Sequence, residues 1–296
     1  MAAEQIEEST PRDRQAGPRS SGVMIPMRRN LAFLIGGVLI GAIGSHLVSP
    51  RSSQINLTAL PPLPRIERPC LPDSDRTAVI VLLGQSNAAN YGNTRYSARE
   101  AVDNFDPASG KCFAAADPLL GADGAGGNFG TRLGDLLIQA GRYDRVIVAS
   151  FAVEGASLSA LNNEHAERID RAMSALQAAK LRPTHFLVQQ GEKDAILTTT
   201  QQQYVSLLHQ FVKRFRAAGF DAPFYLSRTT KCDVYAPTNV AAVRAAQLSA
   251  VNDQLNIRPG PDTDLIGNDG RNPHDGCHMN ELGTLANAAL WGSFIR

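Results

Sequence analysis

The chain has no Cys-x-x-Cys pair. Cys70, Cys112, Cys232 and Cys277 stand far apart, which argues against a structural zinc site. Their even number fits disulfides outside the cytoplasm or buried thiols, and spacing does not set a connectivity. Charge of one sign is also missing. The 29 basic side chains face 28 acidic ones, a formal net charge of +1, and no basic patch interleaved with aromatics stands out. A nucleic-acid partner is therefore not expected. No internal repeat and no second folded domain can be read along the chain.

The N-terminus reads as an address. Residues 1–30 are polar, carry Pro11, Pro18 and Pro26, and are expected to be disordered and cytoplasmic. Arg28 and Arg29 then precede an apolar run, 31–48 (LAFLIGGVLIGAIGSHLV). A cleaved signal has an h-region of about 7–15 residues before small residues, and Ala42-Ile43-Gly44 would serve as that site. A spanning helix needs about 17–25 apolar residues, which the run just reaches. The long polar extension tips the reading towards a retained anchor. Either way, the domain beyond should be extracytoplasmic. Residues 49–75 hold six prolines and read as a linker, leaving 76–296 as the folded domain.

From Thr77 onward the hydrophobic period keeps switching. Strands are expected at 77–83 (TAVIVLL), 145–151, 184–189, 223–227 and 264–267. Helices are expected at 128–140, 165–180, 200–218, 238–255 and 280–294, with Thr238 as an N-cap and Gly219 ending the helix before it. Alternating strands and helices imply a parallel sheet with helices on both faces. Residues 90–127 lack strong periodicity and read as a long excursion over the strand ends.

Ligands of open α/β sheets bind outside the carboxyl ends of the strands, so the residues there carry the functional reading. Gly84-Gln85-Ser86-Asn87 follows the first strand. A serine where a strand turns into a helix is a good seat for a nucleophile, although many such serines only cap helices. Glu154-Gly155-Ala156-Ser157 follows the second strand, and Gly155 lets a backbone N–H approach a substrate oxygen. Gln189-Gln190-Gly191-Glu192-Lys193-Asp194 follows the third, and a side-chain amide there can donate to an oxyanion. Near the C-terminus, Asp275 stands three residues before His278. Such a carboxylate can fix the imidazole tautomer and leave Nε2 free to take a serine proton. His274, Asp275 and His278 as metal ligands rank below that reading, because no further ligand cluster is evident.

In this order, the four blocks resemble the SGNH hydrolase superfamily, and most closely its sialate O-acetylesterase and acetyl xylan esterase branch. The resemblance covers nearly all of 77–296. It rests on GQSN at 84–87, on Gln190-Gly191-Glu192 with Asp194, and on Asp275 with His278, with Gly283 beyond. The glycine block at 154–157 fits more loosely: Glu154 stands where the branch usually has a glycine, and Val188 where it often has an aromatic. The resemblance implies a flavodoxin-like three-layer α/β/α sandwich around a central, mainly parallel five-stranded sheet. It also implies Ser86 as nucleophile, His278 as base and acid, and Asp275 as its orienting carboxylate. The oxyanion hole would be the N–H groups of Ser86 and Gly155 plus the Gln190 amide, with Glu192 beside the triad. No metal or organic cofactor is required, and an acetylated carbohydrate is the expected substrate. A glycan O-acetyltransferase with the same triad and a non-catalytic glycan-binding module remain open. An α/β-hydrolase does not fit, because its G-x-S-x-G elbow would need glycine where Ala88 stands.

Overall fold

The structure, a computed structural model, describes residues 65–70 and 74–295. The expected disordered N-terminus and the apolar run at 31–48 lie outside the described residues. Among the described residues no helix is long and apolar enough to cross a membrane.

β2 (Thr77–Gly84) is buried along its whole length, and its alternate side chains enter two different cores. Val79, Val81 and Leu83 pack on one face with α2 (Leu158–Asn162), α3 (Ala166–Ala178), α5 (Gln201–Ala217) and α6 (Val240–Ser249). Ala78, Ile80 and Leu82 pack on the other with α1 (Phe129–Gln139) and α7 (Glu281–Phe294). Two cores on opposite faces of one sheet make the expected three layers. Helix ends follow local chemistry. Thr200 and Gln203 close a capping box on α5, Asn128 caps α1, and Asn280 caps α7. Gly219, at φ +82°, follows the end of α5 as expected. The expected Thr238 cap is displaced, since α6 begins after Asn239, whose amide instead donates to the Thr199 carbonyl.

Among the described residues the sheet has eight strands rather than five, in the order β1-β4-β3-β5-β2-β6-β7-β8. Four of the five expected strands are β2, β5 (Arg145–Ser150), β6 (His185–Gln189) and β7 (Phe224–Arg228). The fifth was misplaced. β8 runs over Ile257–Asp262 (IRPGPD), and 263–265 is a 3₁₀ turn. Pro259 and Pro261 hid this strand, which pairs with β7 alone; proline is tolerated on such an edge because a missing donor need not break a ladder. Two further strands, β3 (Val102–Asp106) and the antiparallel β4 (Lys111–Ala114), arise inside the 90–127 excursion. Their polar residues concealed them. Asp103 forms a buried ion pair with Arg145, and the Asn104 amide donates to the Val148 carbonyl. The last strand is β1 (Glu67–Arg68), which pairs with β4 within the stretch read as linker. Arg65 donates to the carbonyls of Ala116 and Pro118, and Cys70 is bonded to Cys112, so the domain reaches back at least to Arg65.

β5-β2-β6-β7-β8 are mutually parallel and follow the doubly wound order 2-1-3-4-5. The chain leaves β2 to build one side of it with β5 and then the other with β6. That makes the carboxyl end of β2 the topological switch point, where such sheets bind ligands.

Asp117 organises the excursion above that point. It is fully buried and accepts bonds from the Thr131 hydroxyl (2.7 Å) and from the N–H groups of Asn128 and Tyr96 (both 3.0 Å). Burial pushes its carboxyl up to about 7, and the three donors offset only part of that. A carboxyl raised this way contributes stability that is present below its unfolded value near 4 and lost as pH rises through about 7. The loss approaches roughly 4 kcal/mol at the upper limit. The melting-temperature difference between wild type and Asp117→Asn should therefore shrink between pH 4.5 and 8, as thermal scans would show. A difference independent of pH would mean that the carboxyl titrates as in the unfolded chain.

Candidate active site

β2 ends at Gly84, whose φ is +133°. A Cβ there would lie 2.0 Å from the Gln189 carbonyl oxygen, so only glycine lets β2 and β6 close up at this point. Ser86 follows. It opens not the expected helix but a single 3₁₀ turn, Ser86–Ala88, buried in all three residues. Among the described residues, neither the Ser86 N–H nor the Gly155 N–H donates to a backbone acceptor. Gly155 sits exposed at φ +59° in the turn after β5.

The Asn87 side chain joins three of the four blocks. Its amide donates to Glu192 Oε1 (2.9 Å) and to the Cys277 carbonyl (3.2 Å). One planar group thus ties the serine turn to the loop after β6 and to the Asp-x-x-His loop before α7. Glu192 is fully buried, and its Oε1 also accepts from the Thr229 hydroxyl at 3.1 Å. Burial pushes this carboxyl above the usual range, and the Asn87 bond offsets only part of the effect. The Cys277 carbonyl takes a second bond, at 2.7 Å, from Arg271, whose buried guanidinium also donates to the Thr263 carbonyl.

The loop so held presents Asp275 and His278 as a pair. Asp275 Oδ2 lies 2.8 Å from His278 Nδ1. Its other oxygen accepts the N–H groups of Cys277 (2.8 Å) and His278 (3.0 Å). These bonds orient the carboxylate, and the carboxylate orients the ring, leaving Nε2 as the outward nitrogen. On one side the ring is stacked by Tyr91, with centroids 5.1 Å apart and planes at 26°. The described residues show no hydrogen bond between Ser86 and His278; Asn87 and the Cys277 carbonyl tie together the two loops that carry them.

The Gln190 amide is placed otherwise than expected. Its Nε2 donates to Asp194 Oδ2 (2.5 Å) and to the Ala156 carbonyl (3.2 Å), so both hydrogens are engaged inside the protein. Two acceptors on one side fix which end is nitrogen. As it stands, the third oxyanion donor is not free, and Gln190 instead braces the glycine turn. Asp194 completes the brace by accepting the Leu158 N–H and the Thr199 hydroxyl. Sequence reading missed Asn87 as a junction, Tyr91 as the ring partner and Arg271 as the carbonyl clamp. Asn87 stood within the quoted GQSN block; Tyr91 and Arg271 carry no signal that separates them from core or surface residues.

Cys232 is disulfide-bonded to Cys277, and among the described residues no cysteine is free. The bridge fixes the loop after β7 to the residue between Asp275 and His278. Two backbone bonds, Asp233 to Gly276 and Val234 to Asp275, run alongside it.

Searches by sequence return little: no family model matches the chain, and no curated protein matches it. Solved structures do match. A protein from Arabidopsis thaliana aligns at a TM-score of 0.58 and 13% identity, over 74% of this chain and 97% of its own. That likeness shows a shared α/β fold along nearly the whole of the Arabidopsis protein. A lipase/acylhydrolase from Enterococcus faecalis aligns at 0.47 and 13% identity, over 74% of this chain and 95% of its own. A carbohydrate acetylesterase from Xanthomonas citri aligns at 0.46 and 14% identity, over 73% and 54%. At these identities the likeness speaks for the fold. The site of this domain has to be argued from its own residues.

Two variants test the junction. Asn87→Ala removes two hydrogen bonds, one of them to a carboxylate, worth about 2–4 kcal/mol together. It should lower the melting temperature by roughly 5–10 °C while the fold persists; an unchanged melting temperature would deny that these bonds hold the site. The disulfides can be compared with each other. They close loops of nearly equal length, 42 and 45 residues, so loop entropy gives each about 4 kcal/mol. Replacing either pair by serine should lower the melting temperature alike. Only the Cys232→Ser/Cys277→Ser protein should also lose turnover, and equal loss in both would mean that the second bridge has no special hold on the site.

Proposed function

We propose that the protein is a serine esterase that removes acyl groups, acetyl above all, from a carbohydrate. The observation that carries this is the Asp275–His278 pair, held at 2.8 Å in a loop that Asn87 ties to the Ser86 turn. In this reading Ser86 Oγ attacks the ester carbonyl as His278 Nε2 takes its proton. Asp275 holds the Nδ1–H and stabilises the imidazolium. The negative charge on the tetrahedral carbonyl oxygen is received by the N–H groups of Ser86 and Gly155, both without backbone acceptors. Such donors act most strongly where water is excluded. His278 then returns the proton to the leaving alcohol, and water attacks the acyl-serine with His278 as base.

The carbohydrate half of the proposal rests on the GQSN, Gln-Gly-Glu and Asp-x-x-His blocks and their likeness to the sialate O-acetylesterase and acetyl xylan esterase branch. The two disulfides support a place outside the reducing cytoplasm. The apolar run at 31–48 supports a domain held at, or released from, a membrane.

Hydrolysis of p-nitrophenyl acetate by wild type and Ser86→Ala tests the chemistry. The wild type should turn over, and the folded variant should lose roughly 10³-fold or more of kcat. Equal rates in the two proteins, or a folded wild type inert towards both aryl and sugar acetates, would overturn the proposal.

A further inference from the structure

Tyr91 belongs to none of the four blocks, yet it is the ring that packs on His278. It lies three residues beyond the 3₁₀ turn, half-buried, with its ring centroid 5.1 Å from that of the imidazole. Burial first, and the carboxylate of Glu154 second, push its phenol well up, so it keeps its proton throughout the neutral range. Its ring lies against the candidate base.

The face of an aromatic ring is electron-rich and attracts a cation within about 6 Å of its centroid. Neutral imidazole gains little from such a neighbour, whereas imidazolium gains more. The charged form is the one that arises as the Ser86 Oγ–carbonyl bond forms and the serine proton moves to Nε2. A contact stronger in the transition state than in the ground state raises kcat rather than affinity.

We propose that Tyr91 is a positioning residue for His278, holding the imidazole in plane and stabilising its protonated form. The role rests on the reading of Ser86 and His278 as nucleophile and base. The other charged groups here are Asp275 on the loop of His278, Glu154 from the turn after β5 and Asp123 from the excursion, both acting on Tyr91, and Glu192 and Arg271 behind Asn87 and Cys277. Asp123 is paired with Arg168 at 2.7 Å and accepts the Glu154 N–H. All of them remain when Tyr91 alone is changed, so the difference isolates the ring.

The test uses full-length wild type, Tyr91→Leu, Tyr91→Phe and Glu154→Gln. In Tyr91→Leu, kcat for p-nitrophenyl acetate should fall roughly 3- to 30-fold with KM nearly unchanged. The acid limb of the kcat/KM profile should move down by roughly half to one pH unit. Tyr91→Phe and Glu154→Gln keep a ring on the imidazole and should stay close to wild type. Nuclear magnetic resonance titration of the imidazoles, with the His278 signals assigned from a His278→Asn spectrum, gives a readout that needs no turnover. The His278 midpoint should drop in Tyr91→Leu and by less in Tyr91→Phe. An unchanged or raised midpoint in a folded Tyr91→Leu protein would overturn the proposal. Should that variant not fold, Tyr91→Met, which also lacks an aromatic face, takes its place with the same outcomes. A lowered midpoint in a protein inert towards every ester would remove the esterase reading while upholding the ring contact.

Discussion

Asn87 gives both hydrogens of its amide to partners more than a hundred residues away in sequence, a carboxylate in the loop after β6 and a carbonyl in the loop before α7. The site can exist only while these bonds do. The serine turn is set by β2 and by the glycine that ends it. The Asp275–His278 loop precedes a helix on the opposite face of the sheet from most of the others. Nothing in the sheet itself brings the two together. A small planar side chain with two donors on one atom does so, and the Arg271 guanidinium supports it by sharing the Cys277 carbonyl. Burial strengthens the arrangement, because polar groups out of water gain more from good partners and lose more without them.

The same arrangement divides the labour within the blocks. In the proposed reading Ser86, Asp275 and His278 present chemistry. Gln190, Glu192 and Asp194 face inwards and hold the loops that present it. Asp194 collects the Leu158 N–H, the Gln190 amide and the Thr199 hydroxyl, so the start of α2 and the turn around Gly155 cannot drift from the end of β6. A block of polar residues at a strand end can therefore be more scaffold than reagent, and type alone does not separate the two.

This separation also marks how far the sequence could be read. Continuous apolar runs such as 77–83 show a strand buried on both faces, because nothing else places so many β-branched residues in a row. The layer order, the helix starts at 200 and 280 and the pairing of Asp275 with His278 were legible for similar local reasons. β3 was not, since Asp103 and Asn104 look like loop residues until Arg145 and the Val148 carbonyl satisfy them. β8 was not, since Pro259 and Pro261 read as strand breakers anywhere but on an edge. The free amide expected of Gln190 failed because its acceptors, Asp194 and Ala156, are set by tertiary closeness. Tyr91 was invisible for the same reason, as ring stacking leaves no spacing rule.

The two margins of the sheet share a further property. One is β1, a two-residue strand that exposes charged side chains; the other is β8, with two prolines in six residues. An open strand is a template on which a second chain can grow, and natural sheets guard against this with short, charged or proline-bearing borders. Both borders of this sheet are guarded, so neither invites the stacking of copies that ends in fibres. That resistance to self-association is written into the same prolines that made the last strand hard to see.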